Sequence, residues 1–83
     1  MSHAPHELPE EFPGQTGRIH ALKLADGRFA SLVERYHRVN RALHRMEERI
    51  EPVSEETERE FRRERLRLKD EIARALEIAA VAA

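Results

Sequence analysis

The chain has 83 residues, of which 40% are hydrophobic, 37% charged and 5% aromatic, and its formal net charge is -1. That length holds one small domain at most, near the lower limit for a self-sufficient core, and a near-neutral chain has no global field to steer it toward nucleic acid or an anionic membrane. With no cysteine, disulfides, thiolate metal sites and cysteine nucleophiles are excluded.

The first residues, MSHAPHELPEEFPG, carry prolines at 5, 9 and 13. Each proline removes a backbone donor and biases the preceding residue away from helix, so residues 1–14 are expected to form an extended, mobile tail. This stretch has no basic region followed by an apolar run. No later window approaches the ~20 apolar residues of a membrane span, and the expected location is the cytoplasm.

Residues 15–83 are expected to form a helical hairpin domain. Its first element is a short helix over about 15–24 with Ile19 and Leu22 on one face, ended by Asp26 and Gly27. The Asp26 carboxylate can then cap the next helix, accepting orphan amide hydrogens at the positive end of the dipole. From Phe29 the apolar residues recur at alternating spacings of three and four, through Leu32, Tyr36, Val39, Leu43 and Met46 to Ile50. This heptad pattern predicts a helix over about 27–51, with Phe29, Tyr36, Leu43 and Ile50 at a and Leu32, Val39 and Met46 at d, stopped by Pro52. Ser54 can cap a further helix over about 54–79, with Glu55 and Glu56 in its first turn. Its stripe is Phe61, Leu68, Ile72, Ala75 and Ala79, interrupted by Arg65.

A loop as short as 51–54 forces the long helices to lie antiparallel. In that register Tyr36 faces Ile72, Val39 faces Leu68, Leu43 faces Arg65 and Met46 faces Phe61, while Glu47 meets Arg62 and Arg35 meets Glu71 on the flanks. Arg65 is expected to lay its methylenes on the core and carry its guanidinium to water. The predicted fold is all-α: an antiparallel, coiled-coil-like two-helix hairpin, its open end at Phe29, Val33, Leu76 and Ile78 covered by the short N-terminal helix. One seam is marginal against the ordering of this many residues, so self-association into a four-helix bundle is expected. Leu66, Ala73 and Ala80, at heptad spacing outside the main stripe, are the candidate second seam and partner surface.

The stretch RRERLRLKDEI, residues 62–72, looks like a nucleic-acid patch, yet residues 54–77 hold seven basic and eight acidic groups. Phosphate contacts require a net positive face, which this helix lacks. A better candidate RNA surface is Arg38, Arg41, Arg45 and Arg49, with Arg35 nearby, a ribbon ~20 Å long at 1.5 Å per residue. Phe29, Tyr36 and Phe61 all belong to the seam, which leaves no aromatic for base stacking, so nucleic acid ranks second.

His37 and His44 lie two turns apart on the outer face, too far to share one ion, and Glu48 is the acid near His44. Thr16, Ser31, Ser54 and Thr57 have no histidine placed to activate them. A two-helix ribbon also offers no concavity of the ~300 Å³ or more that small ligands occupy. No catalytic residue, metal ligand or cofactor is expected, and an enzyme is the least expected class.

Several residues together resemble the YdcH-like family of small bacterial proteins, a domain of unknown function. They are His6 and Leu8 ahead of Glu11-Phe12-Pro13, then Ile19-His20, Leu22, Phe29, Leu32, Tyr36 and Glu47, then Pro52-Val53-Ser54, and above all RLRLKDEI at 65–72. The resemblance implies a bacterial origin, a helical hairpin, coiled-coil association and no recognised active site. The expected role is a non-catalytic protein–protein interaction module or adaptor, homo-oligomeric, with an unidentified protein partner and no membrane. The alternative is an RNA-binding or ribosome-associated accessory protein using the arginine ribbon.

Overall fold

The computed structural model of the chain describes residues 5–49 and 52–82. Four helices make up its regular structure: α1, Leu8–Glu11; α2, Thr16–Ala25; α3, Gly27–Glu47; and α4, Glu55–Ala82. The helices pack against one another, α3 along α4 and α2 against both.

The helix starts follow from capping chemistry. Asp26 is extended, with φ -137° and ψ 109°, and is both the C-cap of α2 and the N-cap of α3. Its Oδ1 accepts from the amides of Arg28 at 2.9 Å and Phe29 at 3.4 Å, so one residue turns the corner and satisfies the first orphan donors of α3. Ser54 Oγ likewise accepts from the Thr57 amide at 3.1 Å, and Glu55, Glu56 and Glu58 occupy the first turn of α4, where the helix dipole favours negative charge.

The end of α3 differs from expectation. The helix stops at Glu47, not near 51. Arg49 takes a left-handed backbone at φ 62°, and its amide donates to the Met46 carbonyl at 3.1 Å. This is a helix-ending turn of the left-handed type and acts before Pro52 is reached. Ile50, expected to close the heptad series, lies outside the described residues.

Contacts between α3 and α4 run in opposite senses along the two helices. Arg62 reaches Glu47 at 3.2 Å, and Arg65 reaches the Asn40 side chain at 3.0 Å. The longest dimension of the molecule, 44 Å, is close to the ~42 Å rise of a 28-residue helix, so α4 sets it.

The core joins Phe29, Val33 and Tyr36 of α3 to Leu68, Ile72 and Leu76 of α4, with Ile19 of α2, and Leu43 and Met46 extend the buried line toward the loop. The expected a positions Phe29, Tyr36 and Leu43 are buried, but Leu32 and Val39 at d are only half-buried while Val33 and Asn40 are sealed. The cause is a third layer. The N-terminal elements lie across both long helices, so α3 is covered by α4 and by them on an adjoining face, and its buried arc turns from d toward the next position round the helix. Ile78 was expected under the short helix but is 63% exposed; two residues past the buried Leu76, it points ~200° away around α4.

Residues 5–14, expected to be a tail, pack against the body of the protein. Leu8 and Phe12 are both buried in the main core. Pro9 sits in the first turn of α1, where its missing donor costs nothing, and the four-residue spacing puts Leu8 and Phe12 on one side of that turn.

The two leucines on α4 that lie two residues apart should therefore respond oppositely. Leu68→Ala, at a site with no exposure, should lower stability by about 2–5 kcal/mol, and Leu66→Ala should change that of the single chain, at concentrations low enough to keep it monomeric, by no more than about 0.5 kcal/mol. Urea unfolding of the two variants measures the difference.

Candidate functional site

Two buried polar side chains on α3 organise the most distinctive part of the surface. Tyr36 is sealed and Asn40, about one turn on, is 1% exposed. Polar groups at that depth are costly unless hydrogen-bonded. The N-terminal strap, residues 5–14, supplies most of the partners. Tyr36 Oη donates to the His6 carbonyl at 2.6 Å. Asn40 Nδ2 donates to the Pro5 carbonyl at 3.0 Å and to Glu7 Oε2 at 2.8 Å, and Asn40 Oδ1 accepts from Arg65 Nη1 at 3.0 Å. One amide thus ties the strap, α3 and α4 together. Arg65, expected to reach water, turns inward because Asn40 offers it a buried acceptor.

The strap is also held by charge on both sides. Glu11 Oε1 lies 2.9 Å from Lys69 Nζ and 3.6 Å from His6 Nδ1. Glu7 Oε1 lies 3.6 Å from Arg41 Nη2 and 3.8 Å from His37 Nδ1. Gly14, at φ 78°, turns the chain into α2, a left-handed conformation in which a side chain would be strained.

These surroundings shift three groups. The hydrogen bond from Lys69 holds the Glu11 carboxyl below the usual carboxylate range. Burial, reinforced by the nearby Glu11 carboxylate, pushes the Tyr36 phenol up to about 12. Burial also pushes His37 down; its Nδ1 is enclosed without a hydrogen-bond partner, the Glu7 oxygen being too distant for one. His37 therefore lies under the strap, not on an open outer face. Beside it a cleft of about 350 Å³ opens, with Leu8, Ile19 and Val33 at its apolar side and Lys23 and Arg41 at its rim. The N-terminal elements supply much of its lining, and a second concavity of about 410 Å³ lies between α3 and α4 themselves, so the expectation that two helices would offer none is not met.

The residues singled out from the sequence are placed differently. Leu66 is 59% exposed, Ala73 is half-buried against the core, and Ala80 is exposed beside Phe12, Gln15 and Arg18. Arg38, Arg41 and Arg45 are exposed on α3, whereas Arg49 lies past its end. Arg41 is drawn to Glu7. In the basic stretch of α4, Arg67 pairs with Glu64 and Glu71, and Arg62 with Glu58 and Glu47. The strap was missed because its prolines read locally as a helix-breaking tail; the signal that could have found it is Leu8 and Phe12 four apart, opposite an asparagine at a core-flanking position.

Acid should loosen the strap. His37 is lower in the folded state, so its stabilising effect is complete above its ordinary value near 6.5 and declines as pH falls below that. Glu11 is lower too, so its effect is complete above about 4.3 and is lost as pH falls through its depressed folded value. Tyr36 is the only tyrosine and there is no tryptophan, so its phenol reports the strap directly. Ultraviolet titration should place its ionisation near 12, and Lys69→Met should move the acid-induced change in tyrosine fluorescence to higher pH.

A family model described as a protein of unknown function, DUF465, matches residues 29–76, which run from α3 through most of α4. No curated protein and no solved structure matches the chain. The match spans more than half of the sequence and includes the RLRLKDEI block at 65–72: the chain belongs to the DUF465 family, which is the YdcH-like family.

Proposed function

We propose that the protein is a non-catalytic protein-interaction module of the bacterial cytoplasm, built on an antiparallel coiled-coil-like hairpin that self-associates. The observation that carries this is Leu66. It is the most exposed leucine of α4, in heptad line with Ala73 and Ala80, while Leu68 and Ile72 on the same helix are sealed. Ala73 is half-buried against the core and Ala80 lies beside Phe12, so the seam centres on the leucine, which supplies the apolar area that a small core needs. The opposite running of the Glu47–Arg62 and Asn40–Arg65 contacts supports the hairpin. The partner beyond the second copy is a protein, and no cofactor enters.

An RNA-binding accessory role is favoured by one feature, the exposure of Arg38, Arg41, Arg45 and Arg49, the first three at helical spacing on one face of α3. The engagement of Arg41 by Glu7 and the position of Arg49 beyond α3 shorten the ribbon, and we rank this second.

Light scattering separates the two. The 9.7 kDa chain should run at twice its mass or more, and Leu66→Glu should return it to the monomer with its helices intact; a monomer at every concentration contradicts self-association. Binding to labelled RNA that weakens steeply with salt and with Arg38→Glu would instead favour the ribbon.

A further inference from the structure

We propose that the seat of the N-terminal strap is a docking groove for an acidic amphipathic segment of a partner protein, and that residues 5–14 fill it as a built-in competitor. This rests on the chain being an interaction module, and it adds to that module a second surface distinct from Leu66.

The seat belongs wholly to other elements. Tyr36, Asn40 and Arg41 come from α3, and Arg65 and Lys69 from α4. Its chemistry is legible from what now occupies it. Two apolar anchors four residues apart, Leu8 and Phe12, enter the core from one turn of helix. Two carboxylates with the same spacing, Glu7 and Glu11, meet cations on opposite walls, Arg41 on α3 and Lys69 on α4. Tyr36 and Asn40 capture main-chain carbonyls of His6 and Pro5, which any peptide can offer. The groove therefore suits a segment with a glutamate immediately before each of two bulky apolar residues four apart, laid in as a single helical turn.

The strap is built to be exchanged. α1 has four residues, far below the length at which a helix holds itself together, so its release forfeits little intrinsic helix. Gly14 supplies the joint at its end. A tethered segment competes at an effective concentration in the millimolar range, so a partner must carry the same chemistry and bind more tightly than the strap.

The test uses a fluorescent peptide of residues 5–14, PHELPEEFPG, added to the full chain and followed by anisotropy. A chain carrying Leu8→Ser and Phe12→Ser should bind it at least tenfold more tightly than the unsubstituted chain, because its own strap no longer holds the seat. Glu7→Gln with Glu11→Gln should give a smaller gain in the same direction. The peptide with lysine in place of Glu7 and Glu11 should bind at least tenfold more weakly. The proposal is overturned if neither variant binds the peptide while circular dichroism shows intact helices, or if the lysine peptide binds equally well. Should the serine variant lose its helices, the glutamine variant decides. Failure of the peptide in a chain that still assembles through Leu66 removes the groove and leaves the interaction module standing.

Discussion

A buried amide has to find partners for its donor and its acceptor, and Asn40, on α3, finds them on two other elements at once. Its oxygen takes Arg65 from α4 and its nitrogen takes Pro5 and Glu7 from the strap. An apolar side chain at this site would pack α3 on α4 in many near-equivalent registers. The amide favours the alignment that brings the Arg65 guanidinium to its oxygen. Buried polar groups commonly act in this way, giving up some stability for a defined arrangement.

The same constraint explains why α3 does not behave as a two-stranded seam. Leu8, Phe12 and Ile19 lie across both long helices, so α3 is covered by α4 and, on an adjoining face, by the N-terminal elements. Its buried side chains then sweep a wider arc than heptad positions a and d. The third layer also encloses His37 and opens the cleft beside it. A hairpin alone would leave those groups wet and without shape.

Much of the architecture was legible in the sequence wherever one residue determines a local outcome. Asp26 and Ser54 cap the helices expected of them, the a positions of α3 from Phe29 to Leu43 are buried, and Glu47 meets Arg62. What escaped depends on contacts distant in sequence. Three prolines outweighed two apolar residues in the strap until Tyr36 and Asn40, more than thirty positions away, supplied its partners. Arg65 looked like a solvated cation because nothing nearby in sequence announces a buried acceptor. The early end of α3 rests on Arg49 adopting a backbone that glycine usually takes, for which the local sequence holds no warning.

Amide hydrogen exchange bears most directly on the role of Asn40 in joining strap, α3 and α4. The amides of Glu11 and Phe12 donate to the carbonyls of Glu7 and Leu8 at 3.1 and 2.8 Å, and in the unsubstituted chain they should be protected. Asn40→Ala should abolish that protection while leaving the amides around Leu68 and Ile72 slow. Strap amides that exchange freely in the unsubstituted chain, or that stay equally protected after Asn40→Ala, would contradict it.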